Sequence, residues 1–184
     1  MSKKLGVEMA GVIVDTKEEF EEALKQRWEK IVISRIWDEY LELDYRRENT
    51  NIKELSIESG KVILRGNIVA HARGESQIVA LDKTVVRAHD DSRVIAENHS
   101  KIFSFDKSKV IAYGFSDVEA SGRSKVVANS LSIVRAYNKS KIVARGSSVI
   151  SAYDYCRVTA FDAARVEKIS KVAKIEIHDF ASLI

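Results

Sequence analysis

The chain has 184 residues, 45% of them hydrophobic and 31% charged, with 30 Lys/Arg against 27 Asp/Glu for a net charge of +3. That length and apolar fraction suit one globular structural unit with attachments, and the single cysteine, Cys156, excludes an internal disulfide framework or a CxxC metal knuckle. No apolar run reaches the roughly 18 residues of a membrane span or has the form of a signal peptide, so a cytoplasmic protein with no membrane contact is expected.

Taken in order, residues 1–58 form an acidic leader with 10 Lys/Arg against 14 Asp/Glu, whereas residues 59–184 carry 20 against 13. Residues 7–33 read as strand, helix, strand. Val12–Val14 precede a capping box, Thr16-x-x-Glu19, and Phe20, Leu24 and Trp28 follow at helical spacing on a charged segment. A helix with one apolar face next to a run of strands predicts a cap on the strand array. From 31 to 58 the pieces IVIS, YLEL and ELSI predict irregular first rungs.

Residues 59–168 are governed by a period of eight. From Ala72 to Ala160 an alanine recurs at every eighth position, with Ser104 as the one exception, and the unit reads S-x-V-x-A-x-[D/G/N]-x. Alternation of S, V and A with variable residues marks a strand of about five residues with one buried face. Two places after nearly every alanine stands a Gly, Asn or Asp, the residues that accept left-handed backbone, which predicts a sharp corner after every strand. The absence of proline fits a ladder that needs nearly every backbone N–H.

The outward residue between the inward Val/Ile and the alanine sorts at sixteen. One set is Ile63, Val79, Ile95, Ile111, Val127 and Val143, followed by Thr159; the other is His71, Arg87, Phe103, Glu119, Arg135, Ser151 and Glu167. A period of 24 would mix the two sets. The expected fold is therefore all-β: a two-sided parallel β-solenoid of 16 residues per turn, with rungs about 4.8 Å apart. Inward serines are expected to bond along the stack or to turn backbone, and Cys156, standing in a serine position, to be a buried filler. Residues 169–184 lose the phase of the repeat and read as a last strand and a closing segment.

The units SKVIAYGF (108–115), SIVRAYNK (132–139) and SVISAYDY (148–155) resemble the octapeptide-repeat proteins of bacteria and phages. The leader helix resembles the N-terminal cap of right-handed parallel β-helix proteins, among them polysaccharide lyases. That resemblance implies right-handed coiling and, as a competing function, an enzyme acting on polysaccharide; a fold by itself carries no activity.

The aliphatic column Ile63, Val79, Ile95, Ile111, Val127, Val143 is the expected interface, since about six rungs of it make some 300 Å² of contiguous apolar surface. Beside it runs a basic ladder: Lys61, Arg93, Lys109, Lys125, Lys141 and Arg157, with Gln77 completing the column. The expectation is a non-catalytic interaction or scaffold module that needs no cofactor, forming a homodimer or binding a protein partner, an acidic one among the candidates, through this face. Inhibitor and immunity-type roles fall in this class. An anionic polymer on the ladder is a further alternative; nucleic acid is disfavoured because no reading motif or interleaved aromatic platform accompanies the cations. His71, His89, His99 and His178 show no metal-ligand spacing, Glu119 and Arg135 are expected to pair across rungs, and Tyr137 and Tyr153 to stand on neighbouring rungs.

Overall fold

A computed structural model describes residues 11–26, 28–35, 40–45 and 52–184; the expected strand positions 7–10 lie outside them. The leader holds β1 (Gly11–Val14), α1 (Lys17–Lys25), β2 (Lys30–Ile33), β3 (Leu41–Asp44) and β4 (Glu54–Ile57), and the repeat runs from β5 (Lys61–Arg65) to β18 (Arg165–Lys168). Two more strands follow, β19 (Lys174–Ile177) and β20 (Ser182–Leu183). All ladders are parallel, and successive repeat strands alternate between two sheets. Among the described residues, sheet A has eleven strands in the order β1, β2, β4 and then every even strand to β20; sheet B has nine, the odd strands from β3 to β19. The result is a two-sheet parallel β-solenoid of about ten turns with about 16 residues per turn.

Most repeat strands are four residues long, because the inward serine belongs to the corner. In the corner after Ala88, Ser92 donates its N–H to the His89 carbonyl at 3.1 Å while Asp90 holds φ at +56°. The ladder also continues through the corners, with Tyr113 N donating to Ala96 O at 2.8 Å and Phe115 N to Asn98 O at 2.8 Å. So dense a use of N–H groups is the physical reason for a chain without proline.

Corner aspartates do more than accept a left-handed φ. Asp162 Oδ2 accepts the Gly146 N–H at 2.9 Å and Asp154 Oδ2 accepts the Asn138 N–H at 3.0 Å, so each side chain ties its corner to the rung before. Where glycine stands instead, the corners approach so closely that a Cβ on Gly122 would lie 2.9 Å from the Asp106 nitrogen.

Inside, small residues let the sheets close on a thin core. Ala112, Ala120, Ala128 and Ala136 are fully buried, and Val118, Val126, Val134 and Ile142 fill the space between them. Of the buried hydroxyls, Thr84, Ser108 and Ser132 donate to the carbonyl three residues back, at 2.7, 2.7 and 2.8 Å. Seven other inward serines, Ser76 and Ser92 among them, have no hydrogen-bond partner among the described residues. The expected bonding of inward serines to turn backbone is thus met at Ser108 and Ser132 and not at these seven.

At the N-terminal end α1 starts from the capping box of Thr16 and Glu19 and packs against β1 and β2, burying Phe20 and Ala23. At the other end the phase slips by one residue only. Arg157 pairs with Lys174 and Arg165 with Ser182, so a single extra residue in the corner near Ser170 changes the step from 16 to 17 while the coil continues.

Candidate functional site: the cationic and aliphatic face of sheet B

Parallel pairing in strict register turns each sixteen-residue period into a straight column on the surface. Ile63, Val79, Ile95, Ile111, Val127 and Val143 are register partners in that order, and the column ends on Glu42 at one side and Thr159 at the other. Ile111 is 37% exposed and the other five are half-buried. Register neighbours one rung above and below, and long cationic stems beside the column, are the groups placed to give that partial cover.

Arg93, Lys109, Lys125, Lys141, Arg157 and Lys174 form the second column, a cation on six consecutive rungs. Lys61 and Gln77 begin it at the N-terminal side. No carboxylate lies within ion-pair distance of these six cations among the described residues. Sheet A differs. There Arg135 meets Asp117 at 2.8 Å and Glu119 at 3.8 Å, and Lys101 meets Glu119 at 3.7 Å, so these two mid-sheet cations are paired across rungs, including the expected pair of Glu119 and Arg135.

Two features of the site escape a reading of the strands alone. The corner leading into sheet B contributes Lys107, Arg123 and Lys139, which with Lys109, Lys125 and Lys141 line a groove of ≈ 440 Å³. A single carboxylate, Asp91, lies at its edge. These corner cations also recur at sixteen, so applying that period to the corner positions would have found them. Lys174 was hidden by the 17-residue step. Next to the groove, a smaller depression of ≈ 290 Å³ is bounded by Tyr40, Gln77, Arg93, Ile95, Lys109 and Ile111. Lys109 is thus shared between a cationic groove and an apolar dimple.

Elsewhere the aromatic residues stack on their own rung neighbours. Tyr137 lies on Tyr153 at 4.6 Å between ring centroids, His89 on Phe105 at 4.8 Å and Phe161 on His178 at 4.9 Å. Burial, then the neighbouring Tyr153, raises the pKa of the Tyr137 phenol. Cys156 is fully buried, and burial followed by the Asp154 charge pushes its thiol up, which makes it a poor nucleophile. Among the described residues no three His, Cys, Asp or Glu side chains converge as metal ligands, and no helix is long and apolar enough to cross a membrane.

Comparison of the chain with protein-family models, with curated proteins and with solved structures finds no match. The geometry of the face therefore carries the functional argument.

Proposed function

We propose that this β-solenoid is a non-catalytic interaction module of the octapeptide-repeat kind, working in the cytoplasm and binding a protein partner with an acidic surface through the flat face of sheet B. The observation that carries this reading is the run of six consecutive rungs whose cations have no carboxylate partner among the described residues, four of them beside the aliphatic column. Like charges stacked at each rung repel, and their mutual repulsion is relieved when carboxylates from outside settle between them.

Symmetry weighs against a second copy as the occupant. Of the dyads in the plane of this face, the one along the strands sets ladder against ladder. The one along the coil axis keeps the ladders apart and joins only the aliphatic strips. Six rungs at about 4.8 Å and a strip about 10 Å wide bury roughly 600 Å² in total, well under the roughly 1,000 Å² expected of a stable interface. An acidic partner uses both columns.

The test is a titration of the protein with fluorescently labelled poly-L-glutamate across a range of salt, alongside light scattering of the protein alone. Binding that weakens as salt rises, and that is lost on combining Lys109→Glu, Lys125→Glu and Lys141→Glu, is the expected result. No binding at low salt, or binding indifferent to the triple reversal, overturns the proposal. A solution mass of twice the chain, lost on Ile111→Glu and Val127→Glu, transfers the face to self-association.

A further inference from the structure

We infer that the segment of partner seated on this face is an amphipathic α-helix lying along the coil axis, with one acidic ridge on the ladder and one apolar ridge on the aliphatic column. This rests on the acidic-partner reading above and specifies its geometry. The two columns overlap on four rungs, where Arg93, Lys109, Lys125 and Lys141 stand beside Ile95, Ile111, Val127 and Val143 on the same strands. Two residues apart on one strand, the columns run side by side about 6.6 Å apart. A docked ligand must thus offer parallel charged and apolar rows, each repeating at about the rung spacing of 4.8 Å.

An α-helix meets that requirement, because residues three and four apart form rows that repeat with the pitch of about 5.4 Å. The mismatch with the rungs is about 0.6 Å per turn and accumulates to about 2 Å over the four shared rungs, within the reach of flexible lysine stems. An extended acidic peptide presents same-side groups about 6.6 Å apart and falls behind by more than a full rung after three steps. A nucleic-acid strand spaces its charges at about 3.4 Å along the duplex axis and offers the aliphatic column no apolar row. The dimple between Tyr40, Ile95 and Ile111 is the natural seat for one large apolar side chain of such a helix.

The test compares two 20-residue peptides of identical composition with the full chain. In one, Glu at i, i+4, i+7 and i+11 forms a row beside a parallel row of Leu; in the other, the same residues are scrambled. Affinity is read by fluorescence anisotropy and helicity by circular dichroism. The patterned peptide is expected to bind at least tenfold tighter than the scrambled one and to gain helix on binding. Ile111→Thr with Val127→Thr should weaken it about tenfold. Threonine is a safe substitution, since Thr159 already occupies this column. Equal binding of both peptides, or binding without helix gain, overturns the helical geometry and leaves the acidic-partner reading intact. Failure of both peptides and of poly-L-glutamate overturns both. A 20-base-pair DNA duplex binding more tightly than the patterned peptide at equal salt also overturns the inference.

Discussion

Replacing Lys125 by Glu should stabilise this protein while impairing its proposed function. Lys125 sits mid-ladder, with Lys109 and Lys141 as its register partners on either side. With charged heads splayed to about 6 Å, each like-charge pair is worth about 0.7 kcal/mol in water before salt is considered. In about 20 mM salt screening leaves roughly 0.5 kcal/mol per pair. Reversal turns two repulsions into two attractions, a swing of about 2 kcal/mol, which halves to about 1 kcal/mol once side-chain freedom at an exposed site is allowed for. For a chain of this size that raises the melting temperature by roughly 2–4 °C. The assay is thermal unfolding by circular dichroism in about 20 mM and about 0.5 M NaCl, and at the higher salt most of the gain should vanish. Lys125→Gln should show about half of it. A variant that melts lower than the wild type at low salt, or whose gain is the same at both salts, would refute an unrelieved ladder. The same Lys125→Glu protein should bind poly-L-glutamate more weakly, so stability and binding move in opposite directions, as expected where a site holds charges together for a partner.

Asp162→Ala should lower stability by about 2 kcal/mol, combining the lost hydrogen bond to Gly146 with left-handed backbone at a residue that resists it, whereas Asp162→Asn keeps both and should stay within about 0.5 kcal/mol in denaturant melts. His71 has its pKa lowered by burial and then by Arg87, so folding favours the neutral ring. Its contribution is fully present above the ordinary value of about 6.5 and is lost as the pH falls through that value to the lower folded one. His71→Gln should therefore melt higher relative to the wild type at about pH 5.5 than at about pH 7.5, and no change in that difference would exclude the effect. Cys156, buried in a serine position, should react with a thiol reagent only as fast as the coil opens, and immediately in denaturant; rapid native labelling would contradict its burial.

The sequence by itself determined the coil. Alanine at every eighth position, a left-handed corner residue two places on and the sorting of Ile63 from His71 at sixteen are local statements, and in a parallel solenoid each rung sees only its neighbours, so local periodicity is the fold. The aliphatic column and most of the ladder were legible for the same reason. Tertiary structure decided what periodicity leaves open. It set the corner cations Lys107, Arg123 and Lys139 against the strand cations to make a groove, carried the ladder on to Lys174 through a one-residue slip, and placed Tyr40 against Ile95 and Ile111. It also showed which charges find partners: Lys101 and Arg135 of sheet A do, through Asp117 and Glu119, whereas the six cations from Arg93 to Lys174 on sheet B have no carboxylate within ion-pair distance among the described residues. Whether a charge is neutralised depends on distances between side chains far apart in the chain, and those distances exist only once the coil has closed.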